Sequence, residues 1–479
     1  MNILSKPKRR SAALLTMLLC SACASVPDLG ELPQVNDAAS LAAGLETPRA
    51  SAADLWPDSA WWVGYQDPQL TRLVEEALAS SPTLEEAAAR VRRADALAKQ
   101  AGASRYPSID TAARAGGLRV SENIGLPAGT VPDSWNDAGE ISLGLTYDLD
   151  IWGRHRASLR AAMSEADAAR AEEATVRLAL STGVASTYAE LVRLHALKDA
   201  AATDLRIRGD SAMLIRQRLA QGLENNAALE QAEAGRANAA AELARIDEQI
   251  DLSRNQLAAL LGTGPARGQQ IALPKLTKLR NFGLPDDLGI AIVGRRPDVV
   301  AARLRTEAFA SRIKVAKADF YPNIRLSGLS GFQALGLDDL FASGSSYGMV
   351  GPEISLPIFS GGRLEGAYRG ARAEYDGAVA AYNQAIVQAV RDVADVAARQ
   401  RALRIRYAQS RAALAASERA YQLIHARYRG GLAPYFEVLS AEDALNANRR
   451  AATDLEASAF MLDVALVRAL GGGFRQLQS

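Results

Sequence analysis

The chain has 479 residues and a formal net charge of +1, with 48% hydrophobic and 23% charged residues. This composition is typical of a folded protein and excludes a disordered chain, and the near-zero charge gives no sign of a nucleic-acid partner. No apolar stretch reaches the roughly 20 residues of a transmembrane helix. If the chain crosses a membrane, it therefore does so with β-strands.

The N-terminus has the pattern of a targeting signal. A basic stretch at 6–10 precedes a short apolar segment and then small residues ahead of Cys23. Cleavage before Cys23 would resemble bacterial lipoprotein processing, in which this cysteine carries the lipid, although Cys20 stands where a leucine is usual. Cleavage before Cys20 fits less well, because Leu19 would precede the cut. A redox pair of the two cysteines has the right spacing but lacks a βαβ context.

Two copies of one unit fill most of the chain. Tyr106-Pro107 recurs as Tyr321-Pro322 and Gly153-Arg154 recurs as Gly362-Arg363, at offsets of 215 and 209. Each copy predicts a short helix, two strands, a long helix and a return helix. The predicted domains are a lipoprotein signal peptide (1–22), a lipidated N-terminal tether (23–55), repeat 1 (56–262), an equatorial linker (263–286), repeat 2 (287–471) and a C-terminal tail (472–479).

The predicted helices are long and rich in alanine. The segments Arg154 to Leu219 and Arg363 to Tyr428 contain no proline, so each predicts a single helix of about 100 Å. Return helices are predicted from Leu223 to Leu261 and from Leu432 to Leu470. Apolar residues recur at spacings of four and three along both, which is typical of coiled-coil packing. The charged residues between them are interpreted as solvated helix surface.

One segment, Glu140 to Ile151, alternates apolar and polar residues with the period of a β-strand. Its apolar positions, followed by an interfacial aromatic, are Ile141, Leu143, Leu145, Tyr147, Leu149, Ile151 and Trp152. Its length fits a tilted strand across a bilayer, with the apolar face toward lipid. A strand of a soluble sheet with one buried face would show the same alternation. Further strands are predicted at Ile109 to Val120, Ile324 to Phe332 and Tyr347 to Phe359.

Four strands are too few to close a membrane barrel, because closed bacterial barrels have about eight strands or more. Three chains would supply enough strands for one shared barrel. The predicted fold is therefore mixed and mainly α: long coiled-coil helices forming an α-barrel, with four membrane β-strands per chain contributing to a shared trimeric β-barrel.

Several motifs in order resemble one known family. Tyr147-Asp148-Leu149-Asp150-Ile151-Trp152-Gly153-Arg154, Arg296-Pro297-Asp298 and Leu356-Pro357-Ile358-Phe359-Ser360-Gly361-Gly362-Arg363 are similar to motifs of the TolC-like outer-membrane efflux channels, in their lipoprotein branch. The resemblance implies a homotrimer in the outer membrane with helices in the periplasm. It also implies a periplasmic adaptor protein, an inner-membrane RND-type pump, contact with outer-membrane lipid, and a covalent lipid such as palmitate on Cys23 as the sole attached group.

The resemblance also implies roles for particular residues. In the family, the turns after the long helices contact the adaptor, and the matching residues here are Arg218, Gly222, Leu223, Arg427, Gly431 and Leu432. The family's periplasmic gate, commonly a Leu and an Asp, matches Phe436 and Ser440. The anionic partner is thus missing at Ser440, and Glu437 and Glu442 lie on other sides of the predicted helix. Phe436 facing the pore and Phe436 packed between helices remain alternatives.

No pattern of catalytic residues is present, and no enzyme, metal or cofactor is expected. The three histidines are far apart, and the segment Gly361-Gly362-Arg363 lacks the ending of a phosphate loop. The favoured function is a passive duct that exports drugs or other small molecules from the periplasm as part of a tripartite efflux system. The duct of a type I protein secretion system and a non-conducting coiled-coil scaffold lipoprotein are the alternatives.

Overall fold

The computed structural model describes residues 26–36, 40–41, 56–121, 127, 130, 132, 134–273 and 294–475. Cys23, the predicted lipidation site, lies outside these residues. The helices are α1 (Pro68–Ser80), α2 (Pro82–Ala103), α3 (Arg154–Ala220), α4 (Asn226–Leu260), α5 (Pro265–Gln269), α6 (Pro297–Ala318), α7 (Arg363–Arg429) and α8 (Tyr435–Ala469). The strands are β1 (Ser108–Leu118), β2 (Asn136–Asp148), β3 (Asn323–Leu335) and β4 (Ser346–Ser355). A 3-10 helix, Trp61–Tyr65, precedes α1, and another, Leu337–Asp339, follows β3.

The two long helices, α3 and α7, each contain 67 residues. The sequence predicted both to within one residue, because an alanine-rich segment without proline favours an unbroken helix. The return helices α4 and α8 start three residues later than predicted, at Asn226 and Tyr435. The intervening residues form the turns described below. Within the described residues, none of the helices has the length and hydropathy of a membrane span.

The four strands form one antiparallel sheet in the order β1-β2-β3-β4. Ser108 pairs with Thr146, and Leu118 pairs with Asn136 at the other end of the first hairpin. In the centre of the sheet, β2 of the first repeat pairs with β3 of the second repeat, and Asp148 lies opposite Arg325. The predicted mainly helical fold with four strands in each chain is therefore confirmed.

The predicted bounds of β2 are wrong at both ends. The strand covers Asn136–Asp148 rather than Glu140 to Ile151, so Leu149, Ile151 and Trp152 lie beyond it. These residues continue the alternation of apolar and polar side chains, but the extended backbone of the strand ends before them. Asp150 has a φ of +43°, in the left-handed region, which a β-strand does not allow.

A helix cap is the physical reason for this early end. The Asp150 carboxylate accepts hydrogen bonds from the backbone N–H of His155 at 2.8 Å and of Arg156 at 3.1 Å. Both are donors at the start of α3 that have no partner within the helix. The end of β4 was also predicted too late: the strand ends at Ser355, before Pro357, and not at Phe359.

The described residues divide into two compact units. One unit contains the sheet and consists of the described residues within 1–34, 91–168 and 302–381. The other consists of the described residues within 35–90, 169–301 and 382–479. Each unit therefore takes matching segments from both repeats. In the second unit, the Tyr65 hydroxyl donates to Asp463 at 2.6 Å and the Tyr188 hydroxyl donates to Asp67 at 2.6 Å, which fixes the start of α1 against α3 and α8. The part of the predicted linker (263–286) that is described contains α5.

Candidate functional site at the helix turns

The two turns after the long helices have the same backbone hydrogen bonds. They are the first turn, Arg218–Leu223, and the second turn, Arg427–Leu432. Gly222 and Gly431 adopt φ of +72° and +74°, in the left-handed region that favours glycine. In each turn, the N–H of the final leucine donates to the carbonyl oxygen of the first arginine at 2.8 Å. This is the Schellman closure of a helix, and it explains the shared glycines structurally.

The side chain of Tyr428 connects the two turns and is only 2% exposed. Its hydroxyl donates to Glu224 Oε1 at 2.9 Å. The Arg218 guanidinium lies 4.7 Å from the centre of the Tyr428 ring, and Arg218 Nη1 donates to the Tyr428 carbonyl oxygen at 3.2 Å. Burial and the hydrogen bond to Glu224 raise the pKa of Tyr428. The predicted contact residue Arg218 is thus bound within the chain.

The predicted contact residues that remain on the surface are mainly the two leucines. Leu223 is 60% exposed and Leu432 is 73% exposed. Arg427 is also exposed, but its guanidinium lies 3.8 Å from the Glu437 carboxylate and donates to the Leu432 carbonyl oxygen at 3.2 Å. Each turn therefore presents one apolar side chain on a backbone fixed by hydrogen bonds.

The predicted gate residues lie on the exposed face of α8. Phe436 is 71% exposed, and Ser440 is exposed one helical turn later. Both border a groove of about 310 Å³ between α7 and α8, whose lining includes Ser417, Ala420 and Ile424 from α7. Within this chain, Phe436 is not packed between helices, so its ring is available on the surface.

A buried carboxylate lies on the other side of α8. Glu442 is 1% exposed, and its Oε1 accepts a hydrogen bond from the Ser211 hydroxyl on α3 at 2.6 Å. Its Oε2 lies 3.8 Å from Arg208 Nη1 and accepts no hydrogen bond among the described residues. Burial raises the pKa of Glu442. Glu442 therefore supplies no surface charge beside Ser440.

Arg208 is the centre of the buried polar cluster, which we define as Asp204, Arg208, Ser211, Glu442 and Asn446. Arg208 Nε lies 3.3 Å from Asp204 Oδ1, and Arg208 Nη2 lies 2.5 Å from Asp443 on α8. Asn446 donates to Asp204. The interpretation of these charges as solvated surface is wrong, because Asp204 and Arg208 are only 6% and 8% exposed. Their spacing of four residues is the same as that of an exposed helical ion pair, so their burial could not be recognised from the sequence.

The remaining predicted residues belong to the sheet. Ile141, Leu143, Leu145 and Tyr147 lie on β2, and Leu143 is 53% exposed. On β4, Met349, Val350 and Ile354 are 66% exposed or more. By the strand register, Val350 and Ile354 lie on the same face of the sheet as Leu143, whereas Met349 lies on the other face. Exposed apolar side chains that share one face of a sheet are typical of a contact with lipid or another chain. The sheet is therefore the part of the chain suited to a membrane.

Two repeats of strands and long helices, with exposed apolar side chains on the sheet, are the features expected of an outer-membrane channel protein. The family model of the outer membrane efflux proteins matches residues 73–263 and 291–472. The chain belongs to this family. The predicted resemblance to TolC-like channels is confirmed, as are the outer-membrane localisation with periplasmic helices and the role as an outer-membrane efflux channel.

Solved structures and relatives agree with this assignment. The outer membrane protein VceC from Vibrio cholerae shares 44% identity at a TM-score of 0.84, covering 88% of this chain and 100% of that one. The outer-membrane channel OprN shares 27% identity at a TM-score of 0.82, covering 94% and 99%. The multidrug resistance outer membrane protein MdtQ of Escherichia coli O6:H1 is 30% identical over 96% of this chain and 97% of its own length. The fusaric acid resistance protein FusA of Burkholderia cepacia is 36% identical over 74% and 67%.

Proposed function

We propose that three copies of this chain form the outer-membrane duct of a tripartite efflux assembly with a periplasmic adaptor and an inner-membrane RND-type pump. The open sheet is the observation that carries this proposal. Strands β1 and β4 are the edges, and neither pairs with a further strand in the described part of the chain. An open edge in lipid costs several kcal/mol for each unsatisfied backbone group. Three such sheets, joined edge to edge, remove every open edge.

The cargo we propose is drugs and other small toxic molecules, and the duct itself is passive. This rests on relatives that are named for multidrug resistance and for resistance to fusaric acid. The pump supplies the energy, so this chain needs only a pore and a means of keeping it closed at rest.

The oligomer and the lipid are tested together by native mass spectrometry of the full-length protein extracted from membranes. We expect the mass of a trimer in which Cys23 is the first residue and carries lipid. A monomer without lipid that is released without detergent would contradict the duct and favour the scaffold function.

The turns are proposed to contact the adaptor through their exposed leucines. A photo-crosslinking residue at Leu223 or Leu432 should capture the adaptor in cells that express the whole assembly. Leu252 on α4, which is 59% exposed and distant in sequence from either turn, is the matched control. Equal capture at Leu252 would contradict a specific contact at the turns.

Phe436 is proposed to face the pore and to narrow its closed end. The Phe436→Ala variant should make the resting channel leakier to large polar drugs, measured as higher conductance in planar bilayers and greater drug uptake by cells. The Leu252→Ala variant removes a similarly exposed apolar side chain and should change neither readout. Unchanged conductance and uptake in Phe436→Ala would exclude the gate role.

A further inference from the structure

A basic pocket lies where the sheet meets the helices. Strand β2 ends and β3 begins at this end of the sheet, next to the start of α3 and the end of α6. The Trp152 ring is stacked on Tyr321, with centroids 4.6 Å apart and an angle of 19° between the planes. The indole Nε1 donates to the Pro322 carbonyl oxygen at 2.8 Å, which fixes the ring in place.

This stacked pair forms one wall of a cavity of about 480 Å³, which we call the basic pocket. Its charged lining residues are Arg156, Arg160, Lys314 and Lys317. None of the described residues that line the cavity is acidic. The nearby carboxylates are already paired, since Asp150 lies 3.2 Å from Arg156 and Asp319 lies 2.9 Å from Arg154.

Three of the four cations have no ion-pair partner among the residues that the structure describes. These are Arg160, Lys314 and Lys317, which are all exposed side chains. Three like charges around one cavity repel each other, so the arrangement is favoured when an anion binds between them. The positive charge of the pocket therefore favours an anionic ligand. Its aromatic wall can also pack against apolar groups of that ligand.

The other repeat does not reproduce the pocket. At the offsets of 209 and 215, Gly361 stands in place of Trp152, Glu365 in place of Arg156 and Gly102 in place of Lys317. The cation equivalent to Arg160 is Arg369, which lies 2.5 Å from Glu365. Arg160 and Lys314 thus have cationic counterparts in the other repeat, Arg369 and Lys99. Trp152, Arg156 and Lys317 have none, so a structural role common to both repeats does not explain these three residues.

The position of the pocket indicates the ligand. The pocket lies beside the end of β2 and the start of α3. In the duct proposed above, on which this step rests, that position is the level of the phospholipid headgroups of the periplasmic leaflet. Tryptophan, tyrosine and cationic side chains are enriched at this interface, and cations there attract anionic lipids. We propose that the basic pocket binds a phosphate group, supplied by an anionic glycerophospholipid whose glycerol and upper acyl carbons pack on Trp152 and Tyr321. Free phosphate is the other source of the same chemistry.

The test is a titration of the full-length detergent-extracted protein by native mass spectrometry with phosphatidylglycerol, phosphatidylcholine or inorganic phosphate. The test variant is Arg160→Gln/Lys314→Gln/Lys317→Gln. The matched control is Lys99→Gln/Arg369→Gln, which changes the equivalent cations of the other repeat. The oligomer mass in the same spectra shows that each variant is assembled.

We expect the wild type to bind phosphatidylglycerol more tightly than phosphatidylcholine. Each cation near an anionic lipid contributes about fivefold in affinity, so the triple variant should lose on the order of a hundredfold. The control should bind as the wild type does, and Lys314→Arg/Lys317→Arg should retain binding because the charge is kept. These outcomes would support a lipid headgroup site.

Inorganic phosphate could instead bind as tightly as phosphatidylglycerol and lose the same affinity in the triple variant. This outcome would support a phosphate site but would make free phosphate, rather than a lipid, its ligand. Equal affinity for phosphatidylglycerol and phosphatidylcholine, or an equal loss in the control, would overturn the proposal. Lipid affinity and oligomer mass are both measured without export. A negative result for lipid binding would therefore not contradict the proposed duct function.

Discussion

The starts of the two return helices occupy equivalent positions in the repeat and yet differ in how they are stabilised. At the start of α4, the Asn225 side chain accepts a hydrogen bond from the N–H of Ala228 at 2.9 Å. At the start of α8, the equivalent residue is Pro434, which has no side-chain cap. Both starts share one apolar cluster, which contains Tyr435 and Val438 of α8 as well as Ala228 of α4. The two helix starts thus have apolar packing in common, and the side-chain cap is present at α4 but not at α8.

The long helices α3 and α7 also differ in the polar side chains at equivalent positions. Asp204, Arg208 and Ser211 on α3 bind the buried face of α8, whereas the equivalent residues on α7 are Ala413, Ser417 and Ala420. The repeat therefore duplicates the backbone but not its polar contacts. Only α8, which carries the proposed gate on its exposed face, is connected to a long helix by this buried polar cluster. Equivalent helices of the two repeats are therefore fixed in position by different side-chain contacts.

Removing the central cation of the cluster is expected to have the largest effect. The Arg208→Ala variant leaves the buried Glu442 carboxylate without a nearby cation and leaves Asp204 with only Arg450, at 3.7 Å. Breaking a buried ion pair in this way costs about 3 to 5 kcal/mol of unfolding free energy. The matched control is Ser417→Ala at the equivalent position of α7, which should change little. Thermal unfolding of the detergent-solubilised protein measures both. Similar stabilities for the two variants would show that the two long helices are equivalent after all.

Removing the polar cap of α4 should have a smaller effect. The Asn225→Ala variant loses the acceptor for the Ala228 N–H, and the loss of such a cap costs about 1 kcal/mol. The Asn225→Ser variant keeps an acceptor at this position and should retain most of the stability. The same unfolding experiment, with limited proteolysis at the first turn, distinguishes them. Equal losses in both variants would mean that the cap is not what holds the start of α4.

The pH dependence of stability should identify the unusual state of Glu442. Its folded pKa is raised above the ordinary glutamate value of 4.5. Between these two pKa values, the folded protein binds more protons than the unfolded chain, so stability falls as pH rises through that window. The Glu442→Gln variant should lose this slope and be at least as stable as the wild type at pH 7, because Asp204 and Asp443 still compensate Arg208.

The control for this experiment is Glu233→Gln, at the equivalent position of α4, where the carboxylate pairs with Arg216 and Arg236 near the surface. It should leave the wild-type slope in place. A stability that rises with pH in the same window, and a Glu442→Gln variant that is clearly less stable at pH 7, would show instead that Glu442 is held ionised by Arg208.

Much of the architecture was predictable because it follows from local patterns. Proline-free alanine-rich segments predicted α3 and α7, and the period of two predicted β2, although its end was placed too late. The error at Leu149 to Trp152 arose because alternation says nothing about φ, and Asp150 leaves the strand to cap the next helix. The glycines of both turns were also correctly recognised as helix ends.

Contacts between segments far apart in sequence were not predictable. Arg208 and Glu442 are 234 residues apart, and either alone has the features of an ordinary surface charge. The basic pocket combines Trp152 and Arg160 with Lys314 and Lys317 in the same way. The sequence of motifs likewise predicted the contact turns, but not that Arg218 packs on Tyr428 while the leucines remain exposed.

The repeat, the helix lengths, the alternation of β2 and the family could all be recognised from the amino-acid sequence, because each depends on the spacing of residues along the chain. The burial of charged side chains, the exposure of the predicted contact residues and the clustering of the unpaired cations became visible only in the folded chain. These properties depend on which helix faces meet, and residues about 150 or more positions apart in sequence become neighbours only after the chain has folded.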